Sequence, residues 1–147
     1  MVGRESPGDF TVVDAIDFVA TRMLPGLTVT TPLPSLALHP TCSSMEMGTA
    51  AAMEVIGRAI ATEVFVPRAW GCCAFAGDRG LLHPELTASA TGPEAGELST
   101  RTFAAYASSN RTCEIGMTRA TGKPYVHILE LLEAATRESG SASATVS

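Results

Sequence analysis

Clusters of basic residues, long apolar runs and an abundance of cysteine are all missing from this 147-residue chain. The 10 Lys and Arg are scattered, 15 Asp and Glu bring the formal net charge to −5, and aromatic residues make up only 5% of the chain. No stripe of cations interleaved with aromatics is present to follow a nucleic-acid backbone, so nucleic acid is not an expected partner. No apolar run approaches the roughly eighteen residues of a membrane span, and the opening MVGRESPGDF has no apolar secretion core. The expectation is a cytoplasmic chain without direct membrane insertion, at most peripheral to the inner face of a membrane through a partner. Four cysteines are too few for a secreted disulfide scaffold, which leaves metal binding, redox chemistry or plain burial as their use.

What is present suits one globular unit: 46% of the residues are hydrophobic, and the length is that of an ordinary domain. The working domain is expected over 10–137, with a flexible lead at 1–9 and a small, polar, disordered tail at 138–147. From Thr11, Val12, Ile16, Val19 and Met23 recur at helical spacing up to Pro25-Gly26. Ser35 to His39 reads as a buried strand, Met45 to Ala61 as a helix capped by Ser43 or Ser44, and Glu63 to Pro67 as a second strand. On that helix Met45, Ala52, Val55, Ile56 and Ala59 make the expected apolar face, and Met45, Met47 and Met53 read as core filler. Pro84 and Pro93 sit at expected first helical positions, each followed by a Glu that suits the helix dipole. Phe103 to Ser108 reads as a third strand, and Tyr125, Ile128, Leu129, Leu132 and Ala135 as a closing helix to about Arg137.

Strands alternating with helices predict an α/β fold, a small parallel sheet of about three to four strands flanked by helices, with ligands beyond the strand carboxyl ends. Cys42, Cys72 with Cys73, and Cys113 each follow one of three predicted strands, which assembles a four-thiolate site. Cys42 and Cys113 lie near expected helix starts, where the dipole lowers thiol pKa. Gly71, Gly77 and Gly80 let the Cys72-Cys73 backbone approach a bound group, the geometry of a cofactor cradle. A tetrahedral zinc usually takes cysteines two to four residues apart, whereas adjacent cysteines can serve separate corners of a multi-iron cluster. The pair thus tilts the choice toward iron–sulfur. Zinc, a thiol-redox role and unligated burial remain alternatives.

Other residues have simpler readings. His39 and His83, each before a proline, suit a strand end or a helix start; Asp78 and Arg79 suit an ion pair or hydrogen bonds holding the loop. Glu85 suits a helix N-terminus, His127 suits packing, and Ser43, Ser44, Ser108 and Ser109 have no nucleophile–base pairing, which argues against hydrolase chemistry.

The strings LHPTCSS, CCAFAGDRGLLHPELTASAT, YASSNRTCEIGMTRATGKPY and ILELLEAAT carry a resemblance over about 12–137. The chain resembles the cysteine-rich CCG domain of heterodisulfide reductases and of iron–sulfur subunits of glycolate and glycerol-3-phosphate oxidation. It is most similar to the C-terminal region of FAD-linked D-lactate dehydrogenases. The resemblance implies a 4Fe–4S cluster on Cys42, Cys72, Cys73 and Cys113 and an electron-transfer role in a 2-hydroxy-acid dehydrogenase. It implies that FAD sits on a separate partner domain, that the partners are FAD-binding and ferredoxin-like regions or subunits, and that this chain is not catalytic alone. Two positions depart from the pattern. Gly116 stands where heterodisulfide reductase has a fifth ligand, so a five-cysteine noncubane cluster is not expected. Ala74 stands where the motif has Gly, at a cost of about 1 kcal/mol or more if that position requires positive φ.

Overall fold

A computed structural model describes residues 11–137. The expected lead at 1–9 and tail at 138–147 lie outside the described residues. The chain forms an α/β fold around a four-stranded, all-parallel sheet of order β2-β1-β3-β4. The strands are β1 (Leu33–Leu38), β2 (Ala61–Phe65), β3 (Ala105–Ser108) and β4 (Tyr125–His127).

Asp14 begins the first helix, α1 (Ala15–Phe18), by accepting hydrogen bonds from the Ile16 and Asp17 amides at 2.9 and 3.1 Å. A π turn (Val19–Met23) and a 3-10 turn (Leu24–Gly26) carry it to the proline stop. The predicted start at Thr11 was too early, and Val12 is exposed. After β1, Thr41 caps α2 (Cys42–Glu46): its hydroxyl accepts from the Ser44 amide at 3.0 Å, while the Ser44 hydroxyl accepts from the Thr41 amide at 3.0 Å. The cap is therefore Thr41, with Ser44 as its reciprocal partner.

The single helix expected over Met45 to Ala61 is broken. Gly48 at φ +72° ends the first piece, and α3 (Ala50–Ile60) makes the second. The break rotates the two faces, so Met45, Met47 and Val55 are exposed while Met53, Ile56, Gly57 and Ile60 are buried. Next come α4 (Arg79–Leu82) and α5 (Pro84–Leu98), where Pro84 opens its helix as expected but Pro93 lies inside. Pro93 has no N–H to give the Ser89 carbonyl, so that backbone bond is missing from α5. Asn110 caps α6 (Arg111–Thr121), accepting from the Thr112 amide at 3.0 Å, and Gly122 at φ +68° closes it.

Tyr125 and Val126 belong to β4, not to the closing helix; α7 (Ile128–Thr136) begins three residues later. His127 caps α7 through Nδ1, which accepts from the Leu129 amide at 3.2 Å, a role the packing expectation missed.

The pleat sorts the core onto two faces. Leu36, Leu38 and Ala107 face α1, α3 and α7 through Ile16, Val19, Met53, Ile56, Ile60, Ile128 and Leu132. Ala37 and Tyr106 face the opposite way, onto Leu98 of α5 and Met117 of α6, with Phe103 and Tyr125. Helices thus cover both faces, and the connection leaving β1 runs to one neighbour while that leaving β3 runs to the other. Such a reversal opens a crevice beyond the carboxyl ends of β1 and β3.

Candidate metal centre

Three chain segments meet at that crevice. His39 directly follows β1, and its backbone is fixed to β3: the His39 amide donates to the Ala107 carbonyl, and the Ser108 hydroxyl donates to the His39 carbonyl, both at 2.9 Å. Cys113 is the third residue of α6, and Cys73 arrives on the loop that follows β2. One ring nitrogen of His39 and the sulfurs of Cys73 and Cys113 all lie within 4.8 Å of one another, and all three residues are buried. The two sulfurs are 3.1 Å apart. Cys42, at the first position of α2, is half-buried, and Cys72 is exposed, with its sulfur accepting from the Ala74 amide at 3.4 Å. The structure thus divides the four predicted thiols into a buried pair and an outer pair.

The loop owes its shape to backbone that L residues rarely adopt. Ala74 has φ +53°, Ala76 φ +44° and Gly77 φ +70°. The conditional cost attached to Ala74 therefore applies: left-handed backbone costs a non-glycine residue about 1–2 kcal/mol. Glycine's extra chain entropy offsets about 0.5–1 kcal/mol of any gain, so Ala74→Gly is expected to stabilise the protein by roughly 0.5–1 kcal/mol. A urea midpoint that moves down rather than up would contradict that backbone assignment. Between the two alanines, Phe75 turns inward, 1% exposed, and packs with Cys73 and Cys113.

Of the glycines expected to cradle a cofactor, Gly77 supplies positive φ, and a Cβ at Gly71 would meet open space. At Gly80 the space for a Cβ is filled by the Phe75 ring, and at Gly116 it is bordered by Thr87, Phe75 and Cys73.

Glu94, from the middle of α5, was read from sequence as a dipole complement. It is instead 1% exposed and grips His39 Nδ1 with both carboxylate oxygens, at 3.0 and 2.9 Å. The sequence signal lay in α5's buried stripe, Thr87, Thr91, Glu94 and Leu98, which has helical spacing but is mostly polar. A polar stripe facing a core marks a site rather than packing. His39 itself goes beyond the strand-end role read for it.

The electrostatics single out Cys73. Its hydrogen bond with Cys113, outweighing burial, and its contact with His39 pull its pKa from 9.0 down to about 4. Cys113 is pushed well up, first by Cys73 and then by burial, so the pair holds one thiolate and one thiol. Burial acts to lower His39, but hydrogen bonding to Cys73 and Glu94 outweighs it and raises the ring to about 9. Partial burial, then the neighbouring Cys72, pushes Cys42 up to about 11. The expectation that helix starts would lower the Cys42 and Cys113 thiols is overturned: neighbouring thiols and burial outweigh a helix terminus.

Other expected roles fall elsewhere. Of the two roles read for Asp78 and Arg79, hydrogen bonds hold the loop, the Arg79 amide donating to the Ala76 carbonyl at 3.4 Å and the Leu81 amide to the Asp78 carbonyl at 2.9 Å, and among the described residues no ion pair joins the two. Glu85 lies in the first turn of α5, as expected, and meets the exposed His83 at 3.2 Å. Among the described residues no helix is long and apolar enough to cross a membrane.

The donors suit a metal ion. Imidazole and thiolate are ligands for zinc and iron, and His39 Nε2 is buried with no hydrogen-bond partner of normal geometry. Two sulfurs on one tetrahedral zinc stand about 3.8 Å apart, from a zinc–sulfur bond of about 2.3 Å. The 3.1 Å pair therefore opens slightly to hold an ion. The buried His39, Cys73 and Cys113 form a group that can bind a metal ion. Compared with protein-family models and with curated proteins, the chain finds no match in either.

Proposed function

We propose that this chain is an electron-transfer module, the metal-carrying C-terminal region of a flavin-dependent 2-hydroxy-acid dehydrogenase of the D-lactate or glycolate type. The observation that carries the reading is the meeting of loops from three parallel strands at one buried set of soft donors. Cys42, Cys72, Cys73 and Cys113 would hold a 4Fe–4S cluster, and such a cluster, when bound, accepts and releases single electrons. The chain's own residues serve that role in separate ways. Phe75 screens Cys73 and Cys113 from water, and the Trp70 indole N–H, bonded to the Pro40 carbonyl, fixes the segment between His39 and Cys42. Cys72 is the exposed thiol, and electron exchange with FAD-binding and ferredoxin-like partner regions would take place across it.

Anaerobic reconstitution with iron and sulfide, with and without the partner regions, tests the reading. Uptake of about four irons per chain, with an EPR signal on reduction, is expected. No iron bound under either condition would overturn the cluster. One observation favours a second reading: His39, Cys73 and Cys113 already group without Cys42 and Cys72. Three protein ligands and one open position suit a single zinc ion. Stoichiometric zinc without visible absorption would select it.

A further inference from the structure

We infer that His39 is a ligand of the bound metal through Nε2 and that Glu94 is the residue that positions it, so that the centre is mixed imidazole–thiolate. The inference rests on the single-metal reading, in which His39, Cys73 and Cys113 are the protein ligands, since a 4Fe–4S cluster held by all four cysteines leaves no iron for an imidazole.

Glu94 engages Nδ1 with both oxygens, an arrangement that keeps a proton on Nδ1, so that a metal displacing the second ring proton meets the lone pair of Nε2. Glu94 already occupies Nδ1, which leaves Nε2 as the nitrogen available to join the sulfurs of Cys73 and Cys113. Nε2 is buried and has no hydrogen-bond partner of normal geometry. A histidine kept only for packing would have both nitrogens satisfied or one in water, and His39 is 0% exposed. Its backbone is pinned to β3 at both polar groups, and Glu94 holds the buried ring. A carboxylate behind a metal-bound imidazole fixes its orientation and raises its basicity. Gly116, in the middle of α6 beside Cys73, offers no donor of its own, while Cys73 and Cys113 supply the thiolates.

Cobalt(II) alone, added to the full chain under reducing, oxygen-free conditions, is the probe. Wild-type protein is expected to give sulfur-to-cobalt charge-transfer absorption and, by electron–nuclear double resonance, a directly bound nitrogen. His39→Gln is expected to keep the sulfur absorption and lose the nitrogen, whereas a His83→Gln/His127→Gln double variant keeps both. Glu94→Gln retains a hydrogen-bond acceptor for Nδ1 and is expected to weaken cobalt binding about 10–100-fold and to shift the nitrogen coupling. A merely structural Glu94 would leave that coupling unchanged. Cobalt bound through sulfur with no nitrogen in the wild type, or with nitrogen persisting in His39→Gln, overturns the inference and leaves the metal reading standing. No cobalt absorption at all overturns both. The wild-type and double-variant measurements decide the ligand question even if Glu94→Gln fails to fold.

Discussion

Metal-free protein is expected to lose about 3 kcal/mol of unfolding free energy as the pH falls from about 6.5 to about 4, below a plateau that extends up to about pH 9. Two opposed shifts at buried groups give this shape. Cys73 is depressed from 9.0 to about 4, so between those values the unfolded thiol binds a proton that the folded thiolate does not. Its contribution is complete above pH 9 and is lost as the pH falls to about 4. His39 is raised from 6.5 to about 9, so across that window the folded ring holds a proton that the unfolded ring has released. Its contribution is complete below pH 6.5 and is lost as the pH rises to about 9.

Between 6.5 and 9 the two slopes cancel. Below 6.5 only the Cys73 slope survives, at about 1.4 kcal/mol per pH unit. Above 9, the raised Cys42 and Cys113 both keep protons in the folded state that the unfolded thiols release, and stability declines again, with the Cys42 part complete at about 11. Urea unfolding of chelator-treated, reduced protein at a series of pH values measures the curve. The acid limb should flatten in Cys73→Ser; an unchanged limb there would assign it to other groups.

Gly80→Ala is expected to cost about 1–3 kcal/mol, the range for a methyl group forced into filled space. The new Cβ would stand 2.6 Å from two atoms of the Phe75 ring. That ring cannot retreat. Gly116 borders it, Cys73 and Cys113 pack against it, and the Arg119 guanidinium lies 5.8 Å from its centroid. The Gly80 amide also donates to the Phe75 carbonyl at 2.7 Å, so ring and glycine are joined by backbone. Relief has to come from the Cys73 loop, and weaker metal uptake should accompany the lost stability. Gly92→Ala in α5, where a Cβ meets nothing within 4 Å, serves as the control and should be neutral or slightly stabilising. Equal stability of the two variants would show that the loop absorbs the methyl group without strain.

The parts legible in the sequence were those written in local order. Apolar runs bounded by turn residues gave β1, β2 and β3, and the position of each cysteine after a strand followed from them. Ala74 was legible because a single side chain at one φ decides its cost. The three residues of β4 were hidden because Tyr125 continues the helical spacing of Ile128, Leu129 and Leu132, and pairing with Tyr106 and Ala107 outweighs that pattern. The break at Gly48 was hidden by alanine- and methionine-rich sequence on both sides. Glu94 was invisible for a different reason. Its partner is 55 residues away, and only the packing of α5 across the end of β1 brings the two together. The division of the thiols has the same origin, since Cys73 and Cys113 lie 40 residues apart and meet only when β2 and β3 are both in place.

Parallel connectivity therefore makes the centre a product of late folding. Each donor follows a different strand, and each strand must be paired before its loop reaches the others, so no partly folded segment contains the full set. Long-range parallel pairing is slow to form. A chain still being synthesised or refolded carries its thiols bare through that interval, open to oxidation or to premature capture of metal. A metal that binds only the finished arrangement stabilises the native state in proportion to its concentration relative to its dissociation constant. Its supply then sets how much of the protein stays folded, as well as how much is loaded.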